Sequence, residues 1–200
     1  MTIIIDYDAG NIKSVEKALQ YLGEDVVLTN DAEKIRRADR AILPGVGNFG
    51  DAMDKIRGAG LEPVIKEFAA SGKPFLGICL GLQVLFDESE ESPGVKGLGI
   101  LPGKIRRFPE MKGLTVPQIG WNDIHVTKDS RLLRGVDGAY VYFVHSYYLT
   151  CENPSDVAAS AEYGIPYHAA VERENVFACQ FHPEKSSAAG LKILQNFLAV

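Results

Sequence analysis

The chain opens on Met1-Thr2-Ile3-Ile4-Ile5-Asp6, and so short and continuous an apolar run reads as a strand buried on both faces. Behind it, Ile12, Val15, Ala18, Leu19 and Leu22 recur at helical spacing, which predicts a helix over residues 11–22 with Asn11 as its cap. A short strand at Asp25-Val26-Val27-Leu28, a charged helix from Asp31 and a strand at Arg40-Ala41-Ile42-Leu43 follow. Helical stretches at residues 51–57 and 61–70 lead into Lys73-Pro74-Phe75-Leu76, a further buried strand, and then Leu82-Gln83-Val84-Leu85-Phe86, whose spacing suits a helix. This alternation predicts an α/β fold, a parallel sheet with helices on both faces. Functional loops then belong beyond the carboxyl ends of the strands.

The second half is richer in extended segments. Val116-Pro117-Gln118-Ile119-Gly120-Trp121-Asn122 and residues 139–144 read as strands, and residues 167–173 with 176–181 read as a hairpin turning at Glu174-Asn175. The sheet is therefore expected to be mixed. A last helix, Ser187 to Leu198, presents Leu191, Leu194 and Leu198 on one side and is expected to pack on the first strands. No repeat or low-complexity linker divides the 200 residues, so one domain spanning 1–200 is expected.

Composition narrows the class without naming a chemistry. With 21 basic and 26 acidic residues the net charge is −5, and no basic stripe is present to follow a nucleic acid. The opening apolar run is too short for a signal peptide or a membrane span. Cysteines at 79, 151 and 179 are odd in number and lack CxxC spacing, which argues against a disulfide framework and for a reducing cytoplasm.

Two segments carry the chemistry. Gly77-Ile78-Cys79-Leu80-Gly81 places a cysteine on a strand-to-helix turn, where flanking glycines tolerate unusual backbone angles and close strand–helix contact. The first helical amides would face whatever the sulfur attacks, and the helix dipole would favour thiolate. Alone, Cys79 fits a buried core cysteine better than a nucleophile. Phe181-His182-Pro183-Glu184 follows a strand, and residues i and i+2 of an extended chain share a side, so Glu184 is expected beside His182. A carboxylate there orients the imidazole and supports its cation. Nucleophile, base and orienter suggest Cys–His–Glu catalysis of acyl transfer. After the strand ending at Leu43, Pro44-Gly45-Val46-Gly47-Asn48-Phe49-Gly50 offers freely turning amides, one of which could join the Leu80 amide to hold an oxyanion. The loop also fits an ordinary strand-to-helix connection.

These residues resemble class I glutamine amidotransferases, with their G-x-C-x-G turn and late His-x-Glu. Further strings resemble the branch formed by glutaminase subunits of imidazole glycerol phosphate synthases: Asp6-Tyr7-Asp8-Ala9-Gly10-Asn11, the Pro-Gly-Val-Gly loop, Gly120-Trp121-Asn122 and Tyr142-Phe143-Val144-His145-Ser146-Tyr147. Asp8 departs from the pattern, since relatives often carry glycine there. The resemblance implies a three-layer fold and hydrolysis of L-glutamine through a thioester on Cys79. His182 would act as base and Glu184 as its orienter, with Val46 and Leu80 as oxyanion donors. It implies that Gly47, Gln83, Glu91, Ser146 and Tyr147 bind glutamine. Trp121, Asn122, Tyr142 and His145 would face a (βα)8-barrel cyclase that receives the ammonia. The implied joint products are imidazole glycerol phosphate and aminoimidazole carboxamide ribotide. It also implies that the Gly45–Val46 peptide can turn its carbonyl into the oxyanion site until the partner is loaded. No metal or organic cofactor is implied. His125 and His168 read as structural, and Cys151 and Cys179 as inert. On the residues alone, Gln83 also fits an exposed helix position, Glu91 one charge of an acidic run, and Trp121 a core aromatic. A glutaminase serving another synthase, or a non-catalytic module of the same fold, are the competing readings.

Overall fold

The apolar tetrapeptides of the first half pair side by side, as their burial on both faces requires. The computed structural model describes residues 1–200. Its first half runs β1 (Thr2–Ile5), α1 (Ile12–Tyr21), β2 (Val26–Thr29), α2 (Ala32–Arg37), β3 (Arg40–Leu43), α3 (Phe49–Gly58), α4 (Leu61–Ala70), β4 (Phe75–Ile78), α5 (Leu80–Val84) and β5 (Glu88–Ser89). Then come β6 (Gly103–Arg107), β7 (Gln118–Asp123), β8 (His125–Val126), β9 (Tyr140–His145), β10 (Tyr147–Cys151), β11 (Val157–Tyr163), β12 (Ile165–Arg173), β13 (Val176–Cys179) and α6 (Ser187–Leu198).

One 11-stranded sheet takes the order β2-β1-β3-β4-β13-β12-β10-β6-β5, with β11 and β8 branching from β12. From β2 to β13 every neighbour is parallel. From β13 to β6 every neighbour is antiparallel. Strands β7 and β9 form a separate antiparallel ribbon. Alternation along the strands splits the core in two. Ile3, Ile5, Ala41 and Leu43 join the buried faces of α2, α3 and α4, whereas Ile4, Ile42 and Leu76 join those of α1 and α6. Helices thus cover both faces of the parallel half, and the expected α/β class holds.

Capping explains how the helices start. Asp31 accepts from the amides of Glu33 and Lys34 to open α2, and Asn48 accepts from those of Gly50 and Asp51 to open α3. Asn11 does not cap α1 as expected: it is left-handed, with φ 64°, and its side chain turns away to Glu184. The hairpin turn is where the sequence put it, Arg173 pairing with Val176 and Glu174 at φ 52°. Five strands, β5, β6, β8, β10 and β11, were not expected at all, so the chain holds more strand than the pattern predicted.

The last helix has the expected ends but a rotated face. Gly190, Ile193, Leu194 and Phe197 are buried, and Leu191 lies at the margin. Truncating Leu194 to alanine is therefore expected to cost about 2–5 kcal/mol, the range for a buried leucine, and Leu191→Ala about 1 kcal/mol or less. Urea midpoints at constant slope measure both. Equal losses would place Leu191 on the packed face.

Candidate active site

Cys79 stands between β4 and α5, at the carboxyl end of the parallel strands, where such sheets bind ligands. Its own backbone is unusual, with φ 55° and ψ −109°. The flanking glycines have ordinary φ and serve close approach instead: a Cβ on Gly81 would overlap the Leu43 carbonyl oxygen, and one on Gly77 would lie 2.8 Å from the Gly81 carbonyl oxygen. The strain expected of the glycines thus falls on the cysteine. Only five residues long, α5 offers a weaker dipole than a full helix.

His182 and Glu184 do lie side by side, with Nδ1 and Oε1 2.7 Å apart and both side chains buried. The pairing does not come from the extended chain that the sequence predicts. Residues 183–185 form a 3-10 turn, and this turn, rather than strand alternation, folds the carboxylate back onto the ring. Asn11 Nδ2 donates to the same oxygen at 3.2 Å. Because Glu184 accepts at Nδ1, the tautomer is fixed and Nε2, buried and without a hydrogen-bond partner, remains the basic nitrogen. Burial opposes charge on the ring, but the neighbouring Cys79 sulfur and Glu184 carboxylate outweigh it and raise the His182 pKa. The His182 backbone is clamped too: its amide donates to Tyr142 O at 2.9 Å and its carbonyl accepts from Ser186 Oγ at 2.6 Å.

Cys79 and His182 border one cavity of about 350 Å³. Gly47, Gln83, Glu91, Ser146 and Tyr147 line it as well, so all the expected glutamine-binding positions come together. Val46 and Leu80 also reach it, but the Leu80 amide is engaged, donating to Gly45 O at 3.2 Å. The Gly45–Val46 peptide therefore presents its carbonyl, and not its amide, to this end of the cavity. Tyr7 Oη fixes the preceding residue by donating to Pro44 O at 3.0 Å.

A family model described as glutamine amidotransferase class-I matches residues 3–200. The chain belongs to this family. Among its relatives, the imidazole glycerol phosphate synthase subunit HisH of Methanothermobacter thermautotrophicus is 48% identical over 200 residues, covering 100% of this chain and 98% of the relative. The HisH subunit of Desulfitobacterium hafniense strain DCB-2 is 51% identical over 196 residues, covering 97% and 92%. Solved structures share the fold at lower identity. A glutamine amidotransferase crystal structure has a TM-score of 0.77 at 21% identity over 98% of this chain and 97% of that one. PurLQS from Thermotoga maritima has 0.74 at 21% over 99% and 97%.

Within this amidotransferase frame, several side chains stand differently from their sequence-level readings. Gln83 is buried, not exposed, and Nε2 donates to Gln180 Oε1 at 3.0 Å and Tyr147 O at 3.2 Å. Glu91 leaves the acidic run to accept from the Phe49 amide at 2.8 Å, and burial pushes its carboxyl upward in pKa. Trp121 is 51% exposed and so is no core aromatic. It meets Tyr142 edge-on across the β7–β9 ribbon, with ring centroids 6.2 Å apart. Asn122 is half-buried and donates to Glu162 O at 2.7 Å. Ile119 and Tyr140, which the sequence reading passed over, extend this exposed apolar ribbon. His145 is no surface residue: it is buried among Phe108, Phe143 and Tyr167 and borders the cavity.

The remaining residues have plainer settings. All three cysteines are free, and burial raises the pKa of Cys151 and Cys179. His168 accepts from the Cys151 amide, and His125 pairs with Asp123 at the surface. Asp8 sits at φ 65°, a left-handed conformation that glycine adopts without strain, and pairs with Lys55 at 2.8 Å. No group of three His, Cys, Asp or Glu side chains is placed to hold a metal. Asn11, Tyr7 and Gln180 were missed as neighbours of the site, because an isolated polar residue in a loop or strand gives no periodic signal.

Two buried histidines tilt stability in opposite directions. Burial lowers His145 from 6.5 to about 4, so it folds neutral; its contribution is complete above pH 6.5 and is lost as pH falls towards 4. His182, raised, contributes fully below pH 6.5 and loses that contribution as pH rises. Between pH 7 and 5, wild type is expected to lose about 2 kcal/mol more stability than His145→Phe, in which that titration is absent. Urea unfolding of both proteins at the two pH values measures the difference; parallel losses would mean that His145 charges freely in the fold.

Proposed function

We propose that this chain is the glutaminase subunit of an imidazole glycerol phosphate synthase, acting in histidine biosynthesis as one amidotransferase unit over residues 1–200. Its partner is a separate (βα)8-barrel cyclase in a cytoplasmic heterodimer. No helix is long and apolar enough to cross a membrane. The observation that carries the glutaminase reading is the buried His182–Glu184 pair, 2.7 Å apart, sharing a cavity with Cys79. Identity of 43–51% to HisH subunits along nearly the whole chain supports the pathway and the partner.

The chemistry follows from the geometry. Cys79 attacks the side-chain carboxamide of glutamine, and negative charge moves onto its oxygen. As the C–N bond breaks, His182 gives a proton to the leaving nitrogen, releasing ammonia and leaving a glutamyl thioester. His182 then takes a proton from water, whose oxygen attacks the thioester; the C–S bond breaks and glutamate departs. Glu184 holds the ring and supports its cation throughout. Gly47, Gln83, Glu91, Ser146 and Tyr147 bind the amino acid, the Glu91 carboxylate complementing its α-ammonium. Ammonia leaves towards the ribbon bearing Trp121, Asn122 and Tyr142, which the cyclase covers; His145 lines the inner end of that route.

The oxyanion is the incomplete part. With Leu80 N bound to Gly45 O and the Val46 amide turned away on the same peptide, neither proposed donor faces it. Rotation of the Gly45–Val46 peptide would release the Leu80 amide and turn the Val46 amide inward, and loading of the cyclase is the proposed trigger. Losing one oxyanion donor costs about 10²–10³ in turnover, so cyclase with its nucleotide ligand is expected to raise glutamate release by that order. Assay of glutamate with and without the partner measures it, and Cys79→Ala is expected to be inactive in both states. High turnover by the isolated chain would sink the closed-loop account, and none with the loaded partner would sink the glutaminase reading.

A further inference from the structure

Gln180 is fully buried, two residues before His182, and its backbone amide is anchored to Ala169 O at 2.8 Å. Its carboxamide lies between Cys79 and Gln83. Nε2 stands 3.7 Å from the Cys79 sulfur, and Oε1 accepts from Gln83 Nε2 at 3.0 Å. The direction of this chain is fixed from its far end. Tyr147 O is a carbonyl and can only accept, so the Gln83 group facing it at 3.2 Å is the NH₂. The second hydrogen of that NH₂ then goes to an oxygen of Gln180, which leaves the Gln180 NH₂ facing the sulfur. Gln83 Oε1, bound to no protein group, is left as an acceptor on a residue that borders the cavity.

We infer that Gln180 is a positioning residue, which presents an N–H to the Cys79 sulfur and locks the Gln83 carboxamide with its oxygen free for substrate. An N–H donor at the sulfur stabilises the thiolate over the thiol, since a hydrogen bond to an ionised acceptor is the stronger one. The donor is neutral, so it does this without adding charge beside His182. The same side chain couples the two requirements of the site: an apolar residue at 180 would leave the sulfur without its donor and the Gln83 NH₂ without an acceptor. This inference rests on the glutaminase reading for its substrate, but its effect on the sulfur is independent of any substrate.

Gln180→Met keeps the length of the side chain and removes both donor and acceptor. Alkylation of Cys79 by iodoacetamide, resolved from Cys151 and Cys179 by peptide mass spectrometry, is expected to move its pH midpoint up by about one unit or more. In the complex with the cyclase, kcat/KM for glutamine is expected to fall about ten- to a hundredfold, with a raised KM from the freed Gln83. A merely structural glutamine would alter the melting temperature and leave the alkylation midpoint in place; a folded Gln180→Met with the wild-type midpoint overturns the inference. Wild-type protein supplies a second test that no folding defect can obscure. The side-chain ¹⁵N–H resonances of Gln180 are expected to titrate with the alkylation midpoint and to stop doing so in Cys79→Ala, and resonances indifferent to that substitution overturn it equally. Because alkylation needs no turnover, a wild-type complex that releases no glutamate tells against the glutaminase reading, while the alkylation midpoint still decides the role of Gln180.

Discussion

The site depends on one close approach between two pieces of backbone. The turn from β4 into α5 presses against the end of β3 so tightly that Gly81 has no room for a Cβ beside the Leu43 carbonyl. That contact fixes the height of Cys79 above the sheet, and it brings Leu80 N within reach of Gly45 O, at 3.2 Å. Parallel pairing of β3 with β4, Leu43 opposite Gly77, sets the register from below. Pairing of β4 with β13, Ile78 opposite Cys179, then carries the chain that becomes Gln180 and His182 to the other side of the sulfur. Three loops from adjacent strands converge because their strands are neighbours, and the glycines let them touch.

The parallel half of this fold was legible because its signals are redundant. Strands such as Thr2–Ile5 and Phe75–Ile78 are buried along their whole length, and helices of fixed period lie between them. The antiparallel half carried no such signal. Gly103–Arg107 buries only two of its five residues beneath Lys104, Arg106 and Arg107, and Val157–Tyr163 is rich in alanine, a poor strand former. Their partners, not their composition, make them strands. The face of α6 was misjudged for a related reason: leucines mark a helix as amphipathic, but Gly190 sets which side approaches the 183–185 turn, where a Cβ would overlap Pro183 O.

The site was legible as a set of residues and less so as an arrangement. Glycines around a cysteine and His-x-Glu near the end of the chain pointed to residues that the structure gathers at one cavity, and family strings supplied Gly47, Gln83, Glu91, Ser146 and Tyr147, which line it too. The local geometry behind them was not readable. Glu184 reaches His182 through a 3-10 turn, Asn11 crosses from the other end of the chain to bond the same carboxylate, and Gln180 looks like any strand residue until Cys79 and Gln83 are seen on either side of it. Each is a long-range polar contact, and such contacts leave no periodicity to detect.

The balance of bonds indicates which part of the site is free to move. His182 is held by Glu184, by Tyr142 O and by Ser186 Oγ, and Ser186 Oγ in turn accepts from Tyr142 N at 2.9 Å. Shifting the base would break several buried hydrogen bonds at once, some of them to a charged group. Those same bonds tie it to Tyr142, whose ring meets the exposed Trp121, so the proposed partner surface and the base share one residue of β9. The Gly45–Val46 peptide is held differently. Its carbonyl has one neutral bond, to Leu80 N, worth about 1 kcal/mol, and it is followed by Gly47 at φ 106°, where no side chain opposes rotation. Tyr7 anchors Pro44 just before it, so a rotation there need not spread back into β3. Rotation of that peptide can therefore leave His182 where it stands and still change the oxyanion site, because a single neutral hydrogen bond is all that closes it.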